Sequence, residues 1–153
     1  MTSLSYNEIF SRFYSRVEAY DFLNLSEEQM TEYLTEWLKG AISKPFVRRN
    51  YNLLRMDNDI QEITFELFHP TDEDTDEYFT IEVLSLGVAI EWLEPKVNSI
   101  MNTAQMFTTK ESTFYSQANH LSELRETLNN FRKLQRQLIT DRGFLWNSYL
   151  GGE

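Results

Sequence analysis

The chain has 153 residues, 41% of them hydrophobic and 14% aromatic, with no cysteine; this suits one domain with a sizeable core and excludes disulfide and thiol chemistry. Asp and Glu outnumber Lys and Arg by 24 to 14, a net charge of -10. Such a surface repels nucleic acid unless its cations gather in one place; it can instead imitate nucleic acid, or line a passage to which DNA must not stick. Five Gly and three Pro, against roughly eleven and eight at average usage, favour long helices.

The opening MTSLSYNEIF has no basic region followed by an apolar run, so no signal peptide is expected. Ser5 with Glu8 forms a capping box that opens a helix, and Leu4 with Ile9 is placed for a hydrophobic staple. Ile9, Phe10, Phe13 and Val17 make its apolar face, flanked by Tyr14 and Tyr20. Asp21 to Leu25 breaks the pattern as a loop. Ser26 with Gln29, and Leu25 with Met30, repeat both devices. The stripe Met30, Tyr33, Leu34, Trp37, Leu38, Ala41 then predicts an amphipathic helix, which Gly40 and Pro45 stop near Ile42.

Lys44, Arg48 and Arg49 form a basic knot in an acidic chain, with Arg55 following. They either neutralise nearby carboxylates or face an acidic partner or phosphates. The alternation of Ile63, Phe65 and Leu67 against Thr64, Glu66 and Phe68 predicts a strand ended by His69-Pro70, with its partner near Tyr51 to Leu54. Asp72, Asp74 and Asp76 have the first three spacings of a calcium loop. Glu77 stands where that loop needs Gly and Val83 where it needs Glu, so residues 71–77 read as an acidic loop feeding a helix N-terminus, where negative charge is favoured.

From Tyr78 to Leu93 the chain is apolar around most of a helical circumference, which predicts a buried central helix. Glu82 and Glu91 mark its narrow wet edge, and Gly87 allows a neighbour to approach closely. The run is too short and too charged to span a membrane. Pro95 kinks this helix or separates it from a weaker one through Val97, Ile100, Met101 and Ala104. After a polar break at Thr108 to Ser112, a long helix runs from about Phe114 to Thr140. Its seam is Leu121, Leu124, Leu128, Phe131, Leu134 or Gln135, and Leu138, and Gly143 suits the C′ position beyond it. The expected architecture is mainly α. It is a helical bundle around a buried central helix, with a small β element and a long C-terminal helix, in one domain over residues 1–143. Its core is Phe13, Val17, Leu34, Trp37, Leu84, Val88, Trp92, Leu121, Leu124 and Leu128.

No catalytic constellation emerges. His69 and His120 have no metal-ligand spacing, and His120 reads as a hydrogen-bonded structural residue. There is no phosphate-binding glycine loop and no nucleophile elbow. Glu82 and Glu91 are about 13 Å apart along a helix, too far for a glycosidase pair. Neither an enzyme nor a metal or cofactor requirement is expected. Residues 144–153 form a tail in which Phe144, Leu145, Trp146, Tyr149 and Leu150 either cover the domain's own core or dock, from a mobile segment, on another chain.

Glu82 to Leu124 carries a resemblance. Glu91-Trp92-Leu93 with Pro95, then Gln105, Lys110, Tyr115-Ser116-Gln117-Ala118 and His120-Leu121 resemble the neck proteins of tailed bacteriophages, the head–tail connectors or adaptors below the portal ring. Tyr20-Asp21-Phe22 and Ala41-Ile42-Ser43-Lys44 are similar less specifically. The resemblance implies a mostly helical virion protein, made in the host cytoplasm and assembled as a ring. Such a ring joins the portal to tail-side neck proteins and passes DNA without binding its sequence. It also implies a portal-reaching role for Phe144 through Leu150. In a ring of acidic copies, Lys44, Arg48 and Arg49 are expected to face a neighbour's carboxylates. The alternative reading is a small acidic inhibitor or DNA mimic that binds a nucleic-acid-binding partner.

Overall fold

The computed structural model describes the backbone of residues 1–17, 26–106 and 111–146, and the side chains of 1–17, 26–99 and 120–146. In chain order the elements are β1 (Thr2–Ser5), α1 (Tyr6–Arg16), α2 (Glu27–Ile42), α3 (Pro45–Arg48), β2 (Tyr51–Asp57), β3 (Glu62–Leu67), α4 (Glu73–Met106) and α5 (Glu111–Gly143). The fold is mainly helical with a small antiparallel sheet and a long C-terminal helix.

Both predicted capping boxes form. Glu8 accepts from the Ser5 backbone N–H at 3.3 Å. The Ser26 hydroxyl accepts from Gln29 N–H at 3.2 Å while Gln29 accepts from Ser26 N–H at 3.1 Å. The predicted strand pairs with the predicted partner as the hairpin β2–β3, with Ile63, Phe65 and Leu67 buried and Phe68 exposed. Gln61 closes the hairpin loop at φ 53°. The sheet has the order β1-β3-β2, with Leu4 opposite Ile63. Strand β1 was not expected, because four residues before a helix cap are too few to show a period.

Around α4 pack α1, α2, α5 and the sheet. Leu84, Val88 and Leu93 are fully buried, as the central-helix reading requires. Pro95 lies inside one helix of 34 residues and separates nothing. Phe13, Leu34 and Leu128 are core, while Val17, Trp37, Trp92, Leu121 and Leu124 are partly buried against it.

Five expectations change. Residues Glu73 to Glu77 are not loop but the first turns of α4, begun by Asp72, whose carboxylate accepts from Thr75 N–H at 2.9 Å and Thr75 Oγ1 at 2.7 Å. Glu82 is not on a wet edge. It is 5% exposed and held by Arg12 Nε at 2.5 Å and by Arg16. Arg12 and Arg16 are one helical turn apart on α1 and converge on it. Glu91 is partly covered by α2. On α5 the seam continues through Gln135, Ile139 and Arg142, while Leu134 is exposed and Leu138 partly buried. Gly143 is the last residue of α5 rather than a left-handed C′ residue. Glu111 and Ser112 are already helical. The loop expected at Asp21 to Leu25 and the break at residues 108–110 lie outside the described residues, as do the side chains of Ile100, Met101 and Ala104. No helix among the described residues is long and apolar enough to cross a membrane.

Gly87 sits where α2 and α5 both reach α4. A Cβ there would stand 2.7 Å from Ala41 Cβ and 3.2 Å from Gln135 Nε2. Gln135, 2% exposed, donates across this contact to the Val83 carbonyl at 2.9 Å. Gly87→Ala should therefore lower the melting temperature, despite a helix-propensity gain of about 1 kcal/mol. Gly143→Ala, with no atom within 4 Å of the added carbon, should leave it unchanged or raise it.

Two buried phenols set the alkaline limit. Tyr6 donates to Asn58 at 2.7 Å, and burial followed by the charge of Asp57 pushes its pKa up to about 12. Burial raises the Tyr51 phenol further, with Thr80 Oγ1 at 3.0 Å. The folded state retains protons that the unfolded chain releases above about pH 10. Stability is then constant below that pH and falls as pH rises through it. Absorbance titration of the phenolates should show these two ionising last, together with unfolding by circular dichroism.

Candidate docking surfaces

At one end of the molecule α5 terminates beside the start of α4. Arg142, 6% exposed, donates to Asp76 Oδ1 at 2.8 Å and to the His69 carbonyl at 3.0 Å. Asp76 also accepts from Thr71 N–H at 3.1 Å and Thr71 Oγ1 at 2.7 Å. Burial of a charged pair is tolerated here because both partners are hydrogen-bonded on several sides. The guanidinium lies between two rings, Phe79 at 4.7 Å and Trp146 at 5.4 Å. These bonds occupy two of the three carboxylates that the calcium comparison singled out: Asp72 caps α4 and Asp76 holds Arg142.

This arrangement places the beginning of the tail. Trp146 stacks on His69 with centroids 4.7 Å apart, and Phe68 meets His69 edge-on at 4.8 Å. Trp146 thus lies against the body, with Phe144 and Leu145 just before it in the chain. They do not enter the core. Exposures are 59% for Phe68, 47% for Phe144, 61% for Leu145 and 37% for Trp146. Phe68 and Trp146, both against His69, with Phe144 and Leu145 just before Trp146 in the chain, leave exposed apolar surface of the kind that marks an interaction site. Tyr149 and Leu150 lie outside the described residues. Phe68 had been expected only as the outward residue of a strand. Its membership of this patch depends on the distant end of α5, which no local pattern reveals.

The basic knot divides. Lys44 Nζ lies 3.1 Å from Glu91 Oε1, an ion pair without hydrogen-bond alignment, and Glu91 rests over Gly40. Arg48 donates to the Leu54 carbonyl at 3.0 Å and ties α3 to β2. Arg49 is exposed. Lys44 and Glu91 border a cleft of about 250 Å³ whose other walls include Phe46, Glu94, Arg132 and Arg136. Arg132 pairs with Glu94 at 3.2 Å, and Arg136 lies over the Phe46 ring at 4.8 Å. The fold therefore joins Lys44 of the knot to the arginines of α5 along one cleft, where three cations meet Glu91 and Glu94.

On α1 and the first half of α4 lies a second, wider groove of about 590 Å³, lined by Asn7, Glu8, Ser11, Arg12, Tyr78 and Ile81 among others. Carboxylates crowd its rim. Partial burial, then the charges of Glu73, Glu8 and Asp74, push the Glu77 carboxyl above its ordinary range. His120 is exposed on α5. No group of three metal-ligating side chains forms among the described residues.

No family model, curated protein or solved structure matches this chain.

The buried ion pair and the exposed patch make separable contributions. Arg142→Ala leaves Asp76 without its counter-ion and should lower stability by about 3–5 kcal/mol. Trp146→Ala removes a half-exposed stacking partner and should lower it by about 0.5–1 kcal/mol. Urea titration of the two variants separates these outcomes; equal losses would contradict the assignment.

Proposed function

We propose that the protein is a structural subunit of a tailed-phage neck, a head–tail connector that assembles as a ring between the portal and tail-side neck proteins and lets DNA pass. The observation that carries this reading is the exposed apolar end formed by Phe68, Phe144, Leu145 and Trp146, the segment for which the resemblance implies contact with the portal. The helical architecture and the acidic composition support it. A net charge of -10 disfavours retention of passing DNA. The role is non-catalytic, and its site of action is the virion neck. An acidic inhibitor or DNA mimic needs carboxylates spread over its binding face; the basic flank of Lys44, Arg132 and Arg136 weighs against that alternative.

Aromatic and aliphatic anchors at the centre of an interface carry most of its energy. The double variant Phe144→Asp/Leu145→Asp alters two exposed side chains, so its stability should change by no more than about 0.5 kcal/mol. Its co-sedimentation with cognate portal rings should be lost. Retained attachment by a fully folded variant would exclude the patch as the portal contact. Binding of the wild type to a nuclease instead of a portal would favour the inhibitor reading.

A further inference from the structure

On α4, the residues that meet α1 and those that meet α5 point in nearly opposite directions. Glu82 and Trp92 face α1, through Arg12, Arg16 and Phe13. Asp76, Val83, Gly87 and Glu94 face α5, through Arg142, Gln135 and Arg132. At 3.6 residues per turn these two sets are roughly 160° apart around the helix axis. The α1/α4 groove and the outer ridge of α5 therefore lie on opposite flanks of one subunit.

The two flanks are complementary in charge and shape. One is a groove lined by Glu8 and Glu82, with Glu77 next to its lining residue Tyr78 in the first turns of α4. The other is the face of α5 that exposes Lys133, with Arg136 and Arg132 at the edge of the α2/α5 cleft and no acidic residue from Leu128 to Thr140. The ion pair holding Arg132 is about 40% exposed on both sides, so it is weak and open to exchange with another carboxylate. Among the described residues that line the opposite groove the one cation is Arg12, which Glu82 occupies.

We infer that the α1/α4 groove of one copy receives the Arg132–Arg136 ridge of α5 from the next copy, in a head-to-tail contact. Different patches meet in such a contact, so it repeats from copy to copy and closes into a ring when the rotation permits. Opposite charges across each junction steer the approach and set the register, while like faces repel. This inference rests on the ring reading above and supplies the second half of the junction.

The absence of cysteine allows a direct test. Ser11 in the groove and Lys133 on the ridge are both exposed. Full-length Ser11→Cys, Lys133→Cys and the double variant are treated with a short bismaleimide at low salt, at concentrations where light scattering detects assembly, with portal rings added if the chain alone remains monomeric. The double variant should give a ladder of covalent oligomers. An equimolar mixture of the single variants should give one cross-linked dimer, and each single variant alone none. Self-cross-linking of either single variant would mean a two-fold contact and would overturn the inference. Oligomers by scattering without a ladder would overturn the groove–ridge assignment and leave the ring reading standing. A chain that stays monomeric at every concentration, with portal present, would overturn both.

Discussion

At Gly87, three helices meet with no side chain between them. Ala41 of α2 and Gln135 of α5 both occupy the space that a Cβ would need. The distance between α2 and α4, and the depth at which α5 sits, follow from that single missing carbon. Packed interiors have no slack to absorb an extra methyl group of this kind. The cleft lined by α2, α3, α4 and α5 opens beside this contact, with Arg136 lying over the Phe46 ring in its wall. The basic flank is thus a consequence of core packing, not of surface sequence alone.

Polar groups buried beside α4 then fix the remaining degrees of freedom. Glu82 sets the rotation of α1 through two arginines. Gln135 sets the register of α5 on α4 through the Val83 carbonyl, and Arg142 locks the end of α5 to the start of α4. Each contact is directional, whereas the apolar core around it tolerates sliding. A buried charge or amide left unpaired is heavily penalised, so alternative registers of these helices are disfavoured.

Much of this was legible from the chain. Ser5 and Ser26 announced two helices because capping is local chemistry within four residues. Ile63, Phe65 and Leu67 announced a strand because alternation is local too. Gly87 announced a close approach, though not which helix would make it. The misreadings share one cause. Glu82 looked wet because carboxylates are seldom buried unpaired, and its partners lie on α1 at Arg12 and Arg16. Asp76 looked like loop, and its partner is Arg142. Between Leu134 and Gln135 the pattern could not choose, and Gln135 took the inner position because the Val83 carbonyl on α4 accepts from it. Of the candidate surfaces, the residues of the tail and the knot were visible. The patch with Phe68, and the flank joining Lys44 to Arg132 and Arg136, arise only when distant segments meet.

The strand order β1-β3-β2 also has a bearing on how the protein is made. The hairpin β2–β3 is local and can close within microseconds of its synthesis. Strand β1 emerges before the hairpin, yet among the described residues its strand partner is β3, with Thr2 opposite Phe65. Helix α1 likewise waits for the α4 residues that cover Ile9 and Phe13. The opening segment therefore spends the whole synthesis of α2 and the hairpin with its apolar side chains unshielded, and its loop-closure entropy is met only when α4 arrives. In a nascent chain this is the interval in which a chaperone, or another nascent copy, has access to Leu4, Ile9 and Phe13.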